Sequence, residues 1–427
     1  MNKIVGIEKK IKILFPEGSS LSARQALTAL GNKGYIIDVC DPNPYCICRF
    51  SKYVRNIYNC PKVGLDPIGY YNFILQLLQK EKYDVLLPIH EQSFLFSKKK
   101  DAITEYVNIA ISDFVSFGIL QSKVSFIKLL QQLNISHPQS QFIKAKAELD
   151  NLTLYPYYIK LPYGTAGHGT WKVENKNKLN KVIKELETEG YLSGNSEILV
   201  QQAVLGTLSV VQALFITGEL VGAHCYQLCS EGVGGSASAR IGVNHPNVIG
   251  HVSEVGSKLK WHGCFMLDYI YNEQTKTPYY IEANPRLGET MNATLSGFNI
   301  AEMLTKLSLK ELSNKSIKLQ FGFKTNSLMA TLLGIGSRGG SRKEIIFEIV
   351  KAVSKSDNYK NSEEELTPIK KDFYSIVPLL FITLKLLVNP NSATQIAAKT
   401  IQNYSISEST VTKINGMTNV PNNFINN

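Results

Sequence analysis

Apolar and polar positions alternate in a regular order along the first ninety residues. "IKILFP" reads as a buried strand, "SARQALTALGNKG" as a helix closed by Gly31 or Gly34, and "YIIDVCD" as a second strand. After a long connection, "YYNFILQLLQKEK" repeats its apolar positions at helical spacing, and "YDVLLPIHE" is another buried strand. Strand, helix, strand, helix, strand predicts an open parallel α/β sheet. The turn "PEGSSLSAR" lacks the glycine spacing of a dinucleotide fingerprint, so no nicotinamide site is assigned.

From Ser122 the texture changes. "SKVSFIKLLQQLNISHPQS" predicts a helix with Val124, Ile127, Leu130 and Leu133 on its apolar side, stopped before Pro138. "YYIKLPYGTAGHGTWKV" gives strand, glycine loop, strand. Gly164, Gly167 and Gly169 permit a tight turn whose amides can approach phosphate oxygens, and Lys160 adds positive charge before it. The loop is not a Walker loop, since Gly-Lys-Ser/Thr is absent, and a plain hairpin has the same pattern. Three further strand-like runs follow between Ser196 and Gln227, broken at Gly206 and Gly218. "CSEGVGGSASARIGV", Cys229 to Val243, reads as a loop: a solvated connection, or a mobile substrate-covering segment that carries Arg240.

The chemistry concentrates in "CFMLDYIYNEQTKTPYYIEANPR", which reads as a hairpin with a polar loop from Asn272 to Pro278. Met266, Asp268 and Ile270 share one face of its first strand. On the second, Tyr280, Glu282 and Asn284 share a face, while Tyr279, Ile281 and Ala283 point away. Pro285 stops the strand at about Asn284 and leaves Arg286 at its lip. An acid in an apolar run is costly unless paired or bound to metal. Across the hairpin Asp268 faces Glu282, and like charges at that distance call for a cation between them. Magnesium carrying nucleotide phosphates takes one or two protein carboxylates, which is what this strand pair offers. Removing either acid is therefore expected to leave the metal-free fold at least as stable.

Composition narrows the setting. The 427 residues suffice for two or three domains, and 44% hydrophobic with 19% charged residues is a globular profile. The net charge of +11 suits anionic ligands such as nucleotides. Basic residues are spread along the chain without a zinc-finger, RNA-binding or basic-helix pattern, so no nucleic acid partner is expected. Seven cysteines without Cys-x-x-Cys spacing, and no secretory leader after Met1, point to a reducing cytoplasm and packing roles, with a redox or metal pair at Cys46 and Cys48 disfavoured. "YSIVPLLFITLKLLV" falls short of the about twenty residues that span a bilayer. A buried core helix is expected there, over a peripheral membrane contact through 374–388 for which Lys370 and Lys371 speak. The Asn-rich end from about Asn415 reads as a mobile tail.

Taken in order, these parts resemble the ATP-grasp superfamily of ligases, related to biotin carboxylase and carbamoyl phosphate synthetase, over roughly residues 10 to 310. The resemblance implies an α/β and α+β protein. An N-terminal open parallel domain (1–115) precedes a two-lobed ATP-grasp domain with mixed or antiparallel sheets (116–310, small lobe about 140–205, large lobe about 206–310). A C-terminal extension of unassigned role (311–427) follows. It further implies that Lys123 and Lys160 contact ATP phosphates beneath a lid running from Gly164 through Gly167, His168 and Gly169 to Thr170. Gln201, Gln202, Ala203 and Val204 become the hinge beside adenine. Asp268, Glu282 and Asn284 become ligands of Mg2+, or Mn2+, and Arg286 stabilises the phosphoryl group in transfer, with Arg240 as an anion contact. Relatives activate a carboxylate as an acyl phosphate, which an amine then attacks with release of phosphate. The implied partners are thus small carboxylate and amine substrates, with a homo-oligomer left open.

Three positions depart from the family pattern. Thr207, Leu208 and Ser209 stand where many relatives hold ribose with an acid. Asp268 stands where several have Glu, and His168 where some have Arg or Ser. The missing ribose acid keeps open a nucleotide-binding or scaffold protein without turnover. A bicarbonate-using carboxylase is the other alternative, and the substrates themselves are not legible.

Overall fold

The structure, a computed structural model, describes residues 10–418 apart from 166, 195 and 313–316. The first sheet is built from β1 (Lys12–Phe15), β2 (Ile36–Asp41), β3 (Val54–Asn59) and β4 (Val85–Leu86), in the order β3-β2-β1-β4 with every pair parallel. Helices α1 (Leu21–Gly31) and α2 (Pro67–Glu81) make the crossovers. Ser20 caps α1 by accepting from Ala23 N, and Asp66 with Pro67 starts α2. The sheet is parallel as its alternation predicts. Strand β3, however, lies in what reads as a long connection, because an edge strand facing water on much of its length carries no apolar run.

Short helices α3 (Gln92–Lys98), α4 (Lys100–Thr104) and α5 (Phe114–Gln121) lead to α6 (Lys123–Gln132), capped by Ser122. A second sheet follows: β5 (Ser140–Ile143), β6 (Tyr157–Lys160), β7 (Thr170–Val173) and β8 (Ile198–Gln202), ordered β5-β8-β6-β7 and antiparallel. Helix α7 (Lys146–Asp150) follows β5. Helix α8 (Lys176–Thr188) buries Leu179, Val182, Ile183 and Leu186 in the hydrophobic cluster beneath that sheet.

The third sheet has the order β13-β12-β9-β10-β11-β14-β15, antiparallel except for its last pair. Its strands are β9 (Thr207–Ile216), β10 (Glu219–Glu231), β11 (Ala237–Val243), β12 (Gly263–Asn272), β13 (Thr277–Asn284), β14 (Lys324–Asn326) and β15 (Ser362–Glu364). Between them lie α9 (Pro246–Lys258), α10 (Met291–Leu295), α11 (Ile300–Ser308), α12 (Leu328–Ser337) and α13 (Arg342–Ser354), and after them α14 (Ile376–Val388), α15 (Ser392–Ile401) and α16 (Glu408–Asn415). Gly206 begins β9 with φ +151°, where a Cβ would meet Tyr271 O at 2.4 Å, so the turn into this sheet requires glycine.

Three expectations are corrected here. The segment Cys229 to Val243 is not a loop: β10 runs to Glu231 and β11 starts at Ala237, leaving 232–236 as the connection. Residues 237 to 240 are all buried, so the strand is covered on both faces and its small residues show no alternation. Helix α14 is not a core helix either. Leu386 is its buried residue, while Leu380, Phe381, Leu384 and Val388 are 52 to 74% exposed. Its packed side meets α12, α13 and α15 in a small cluster around Leu332, Ile345 and Ala393. Finally, Asn415 ends α16 and Met417 packs against the main core, so the tail does not begin at 415; residues 419–427 are outside the described part.

No helix among the described residues is long and apolar enough to cross a membrane. The seven cysteines are all free, and each except Cys229 is buried, which suits packing.

The turn from β1 into α1 is held by acids. Glu17, fully buried, accepts from Ser19 N at 2.9 Å and Ser20 N at 2.8 Å, and also from the Ser20 hydroxyl. Asp41 accepts from Gly18 N at 2.9 Å and Ser19 Oγ at 2.9 Å. Burial pushes the Glu17 carboxyl up to about 7, against the Ser20 hydrogen bonds and with Asp41 adding to the rise. Between the ordinary value and about 7 the folded chain keeps a proton that the unfolded chain releases. Stability therefore falls as pH rises through that window, by ~3 kcal/mol at full separation. Glu17→Gln should flatten this decline: denaturant melts at pH 5 and pH 8 should differ less in the variant than in the wild type. An unchanged difference would show that Glu17 titrates normally.

Candidate active site

The β12–β13 hairpin positions the acids as the sequence suggests, with one irregularity. Met266 pairs with Asn284 and Asp268 with Glu282, and then Tyr269 pairs with Tyr280, so Ile281 is an extra residue on β13. This bulge flips the expected facing. Tyr280 turns inward, fully buried in the core with Tyr269 and Ala283, while Ile281, Glu282 and Asn284 face the cavity together with Met266, Asp268 and Ile270. Periodicity of two could not register an inserted residue.

Cations surround the acid pair. Lys123, at the first position of α6, is 5% exposed and places Nζ 2.9 Å from Glu282 Oε1 while donating to Gly164 O at 3.3 Å. Its backbone N–H donates to Pro162 O at 2.9 Å, which ties α6 to the glycine loop. Lys160, at the end of β6, donates to Ile281 O at 3.1 Å. Asn284 Nδ2 donates to Asp268 Oδ2 at 3.4 Å. Arg286 Nη1 lies 2.9 Å from Glu91 Oε1, and its Nε is buried with no hydrogen-bond partner.

The two carboxyls respond in opposite directions. Burial, with the Glu282 charge second, pushes Asp268 up to about 7, against Arg286, Lys160 and Lys123. Burial would raise Glu282 also, but Lys123 and Lys160 outweigh it and hold that carboxyl below its ordinary value. Burial draws the Lys160 ammonium down to about 8, with Glu282 opposing and Lys123 assisting. The pair therefore rests as one firmly ionised acid beside one that keeps its proton easily.

These groups open onto a cavity of about 1120 Å³. Of the residues expected in the site, Lys160, Gly167, Thr170, Gln201, Gln202, Ala203, Val204, Arg240, Asp268, Glu282, Asn284 and Arg286 line it, and Lys123 joins through Glu282. Gly164 and Gly169 lie in the glycine loop, with Gly167 and Gly169 at φ +81° and +72°, and His168 is exposed to solvent. At the hinge, the backbone N–H groups of Gln202 and Ala203 are already given to Gln139 O and Pro156 O. The buried amide oxygen of Gln201 there has no hydrogen-bond partner.

Arg240 is placed differently from expectation. It sits on β11, 2% exposed, and its guanidinium is held between Glu289 and Glu365 rather than carried by a mobile loop. Its charge is committed to two carboxylates. Glu91, Glu289 and Glu365 are residues of the site that sequence reading missed, while Thr165 falls within the expected lid. Glu91 accepts from Thr165 Oγ1 at 2.9 Å and Gln121 Nε2 at 2.9 Å, so it anchors both the glycine loop and Arg286. Its position at the carboxyl end of a parallel strand, where open α/β sheets place ligands, was the available signal. Glu365 is 125 residues from Arg240, and no local pattern links them.

Asp268, Glu282 and Asn284 fit a divalent cation. Asp268 and Glu282 present hard oxygen atoms across the hairpin, Asn284 would offer its amide oxygen in place of the Nδ2 it turns to Asp268, and a cation would relieve the repulsion between the two acids. No group of three His, Cys, Asp or Glu residues that could hold a metal is found among the described residues. Magnesium that carries nucleotide phosphates takes one or two protein carboxylates and completes its shell with phosphate and water.

No family model matches the chain. Among curated proteins it is similar to the carbamoyl phosphate synthase large chain of Thermoanaerobacter pseudethanolicus, at 21% identity over 266 residues. The match covers 59% of this chain and 24% of that one, so the chain spans about a quarter of that relative's length. Similar solved structures include the biotin carboxylase domain of 2-oxoglutarate carboxylase from Hydrogenobacter thermophilus, in complex with MgADP and bicarbonate (TM-score 0.57, 14% identity, 73% of each chain). The L-amino acid ligase of Bacillus licheniformis (0.56, 15%, 70% of this chain and 75% of that one) and N5-carboxyaminoimidazole synthetase of Staphylococcus aureus (0.55, 17%, 75% and 83%) are also similar. At these identities the likeness shows a fold, and it is the ATP-grasp fold.

The resting charge arrangement corrects the expectation that either acid can be removed without cost. Glu282→Gln takes away the partner of the buried Lys123 and should destabilise the metal-free protein by ~1–2 kcal/mol. Asp268→Asn removes the acid that burial and Glu282 oppose, and should leave stability at or above the wild type. Denaturant melts with chelator at pH 8 compare the two directly. Equal losses in both variants would mean that the pair is not asymmetric.

Proposed function

We propose that the chain, which has the ATP-grasp fold, is an ATP-dependent ligase that activates a carboxylic acid as an acyl phosphate for attack by an amine. The observation that carries this reading is the convergence of two facing carboxylates, Lys160 and Arg286 on one cavity, with Lys123 paired to Glu282.

In this scheme a carboxylate oxygen of the acid bonds to the γ-phosphorus of ATP as the bond to the ADP oxygen breaks. The amine nitrogen then bonds to the acyl carbon, phosphate leaves with the acyl bonding pair, and the amine gives up a proton. Mg2+ or Mn2+, held by Asp268, Glu282 and Asn284, would supply neutralisation of phosphate charge there. Lys160 and Lys123 bind the phosphates. Because Lys123 rests on Glu282 and the Gly164 carbonyl, taking up phosphate means exchanging one anion for another rather than leaving a solvated state. Gln201 offers its unpartnered amide oxygen to the adenine amino group. Arg286, steadied by Glu91, has its Nε free for charge that develops on the transferring phosphoryl group. The glycine loop closes over the phosphates and excludes water, which would otherwise hydrolyse the acyl phosphate. Arg240 orients Glu289 at the wall.

A second reading, a nucleotide-binding protein without turnover, draws on one observation. Leu208 lines the cavity where family relatives hold ribose with an acid. Phosphate release separates the two readings: a screen of acid and amine pools with MgATP should give phosphate that depends on both pools, with a product mass equal to acid plus amine less water. Nucleotide binding without such release under any pool would favour the second.

Lys160→Ala should weaken MgATP-analogue binding or turnover by tenfold or more, since a charge-assisted phosphate contact in a closed site contributes ~1.5–3 kcal/mol. Calorimetric titration with the nonhydrolysable analogue reads it. Wild-type affinity and turnover in a folded variant would remove Lys160 from the phosphate site.

A further inference from the structure

The cavity has two chemically distinct parts. Its charges come from β6, β11, the β12–β13 hairpin and the segment just after it, whereas α12, α14 and α15 supply walls such as Leu333, Val377, Phe381, Ile382, Ile396 and Ile401. None of the lining residues from those three helices is charged. Phe381 is 65% and Val377 39% exposed, so these walls are apolar surface left facing open space. A cavity of about 1120 Å³ exceeds the roughly 300–1000 Å³ of a site for one drug-sized molecule, leaving room beyond a nucleotide.

We infer that one of the two condensing substrates carries an extended apolar group, an aliphatic chain or aromatic ring, that lies against α14 and α15 while its reacting end faces Arg286 and the acid pair. This rests on the ligase reading for the identity of the reacting end. The physical warrant does not depend on it. A charged group laid on these walls would meet no charged partner from the three helices, while each methylene buried there is favourable. The apolar surface is continuous with the charged part of the same cavity, so the occupant is a small molecule that spans both. Helix α14 thereby becomes intelligible. It is too short to span a bilayer and too exposed for core, yet its exposed Val377 and Phe381 lie on the cavity wall.

The test uses straight-chain acids from acetate to decanoate and the matching amines from ethylamine to decylamine, titrated into the full chain with and without MgADP. The expected result is that affinity in one series rises about twofold to fourfold per added methylene. In the turnover assay KM should fall along that series while kcat stays level. Phe381→Asp should flatten the rise and leave MgADP affinity unchanged. Phe347→Asp, which alters an exposed residue of α13 that does not line the cavity, should leave the rise intact. A flat affinity in both series, or equal flattening by the two variants, would overturn the inference and assign any apolar binding to the outer surface. The two proposals fail separately. Loss of chain-length dependence with MgADP still bound sinks this one alone, whereas absent MgADP binding sinks the ligase reading and leaves the chain-length series to decide this one.

Discussion

Two carboxylates pinned opposite one another in a poorly solvated strand pair are the constraint around which the cavity is arranged. Their spacing is fixed by backbone register, so they cannot separate to relieve repulsion. Cations must come to them: Lys123 from the start of α6 and Lys160 from the end of β6, both distant in sequence, and Arg286 from just beyond β13. Each cation is itself held by the backbone or by another acid. Lys123 and Lys160 donate to carbonyls of Gly164 and Ile281, and Glu91 takes Arg286. The parallel sheet, the small antiparallel sheet and the large one therefore meet at one electrostatic problem. Such a group is costly to bury in parts and tolerable only as a set.

A second set of ion pairs fastens the C-terminal region to the rest. Arg24 of α1 places Nη2 2.9 Å from Asp372 Oδ2 with both side chains almost wholly buried, and its Nε donates to Leu366 O. Gln25, on the same helix, donates to Glu365 Oε2 at 2.9 Å and accepts from Met291 N at 2.8 Å. Glu365 also holds Arg240, and β15 just before it closes the edge of the large sheet. Buried pairs of this kind contribute little net stability when compared with apolar packing, but leaving either partner alone is expensive, so they favour one docking geometry. That geometry brings α14 and α15 to the cavity.

Elements whose periodicity is clean were legible from sequence: β1, α1, β2, α2, α6 and the three strands β8, β9 and β10 all follow from apolar spacing and punctuating glycines. So was the chemistry within one hairpin, since Asp268, Glu282, Asn284 and Arg286 are local to it. The failures have separate physical origins. Arg240 lies on a doubly covered strand built of small residues, where composition resembles a loop. Tyr280 is turned by a bulge that adds one residue without leaving a compositional trace. Glu91, Glu289 and Glu365 acquire meaning only through partners, and the side-chain partners of Glu365, Gln25 and Arg240, are each more than a hundred residues away.

Helix α14 shows why length and hydropathy decide less than position. Thirteen residues of high apolar content satisfy the description of a core helix, and the description omits what covers the helix. Tertiary packing covers one side, through α12, α13 and α15, and the Arg24–Asp372 pair and the contacts of Glu365 hold the segment between α13 and α14 to α1 and the large sheet. On the side turned to the cavity Phe381 is 65% exposed. Filling it with protein would close the space that the charged hairpin faces. The apolar content of α14 is thus divided: Leu386 and its neighbours hold the helix in place, Val377 and Phe381 shape the cavity, and Leu380, Leu384 and Val388 stay exposed outside it, and the sequence pattern cannot separate these because all use the same residue types.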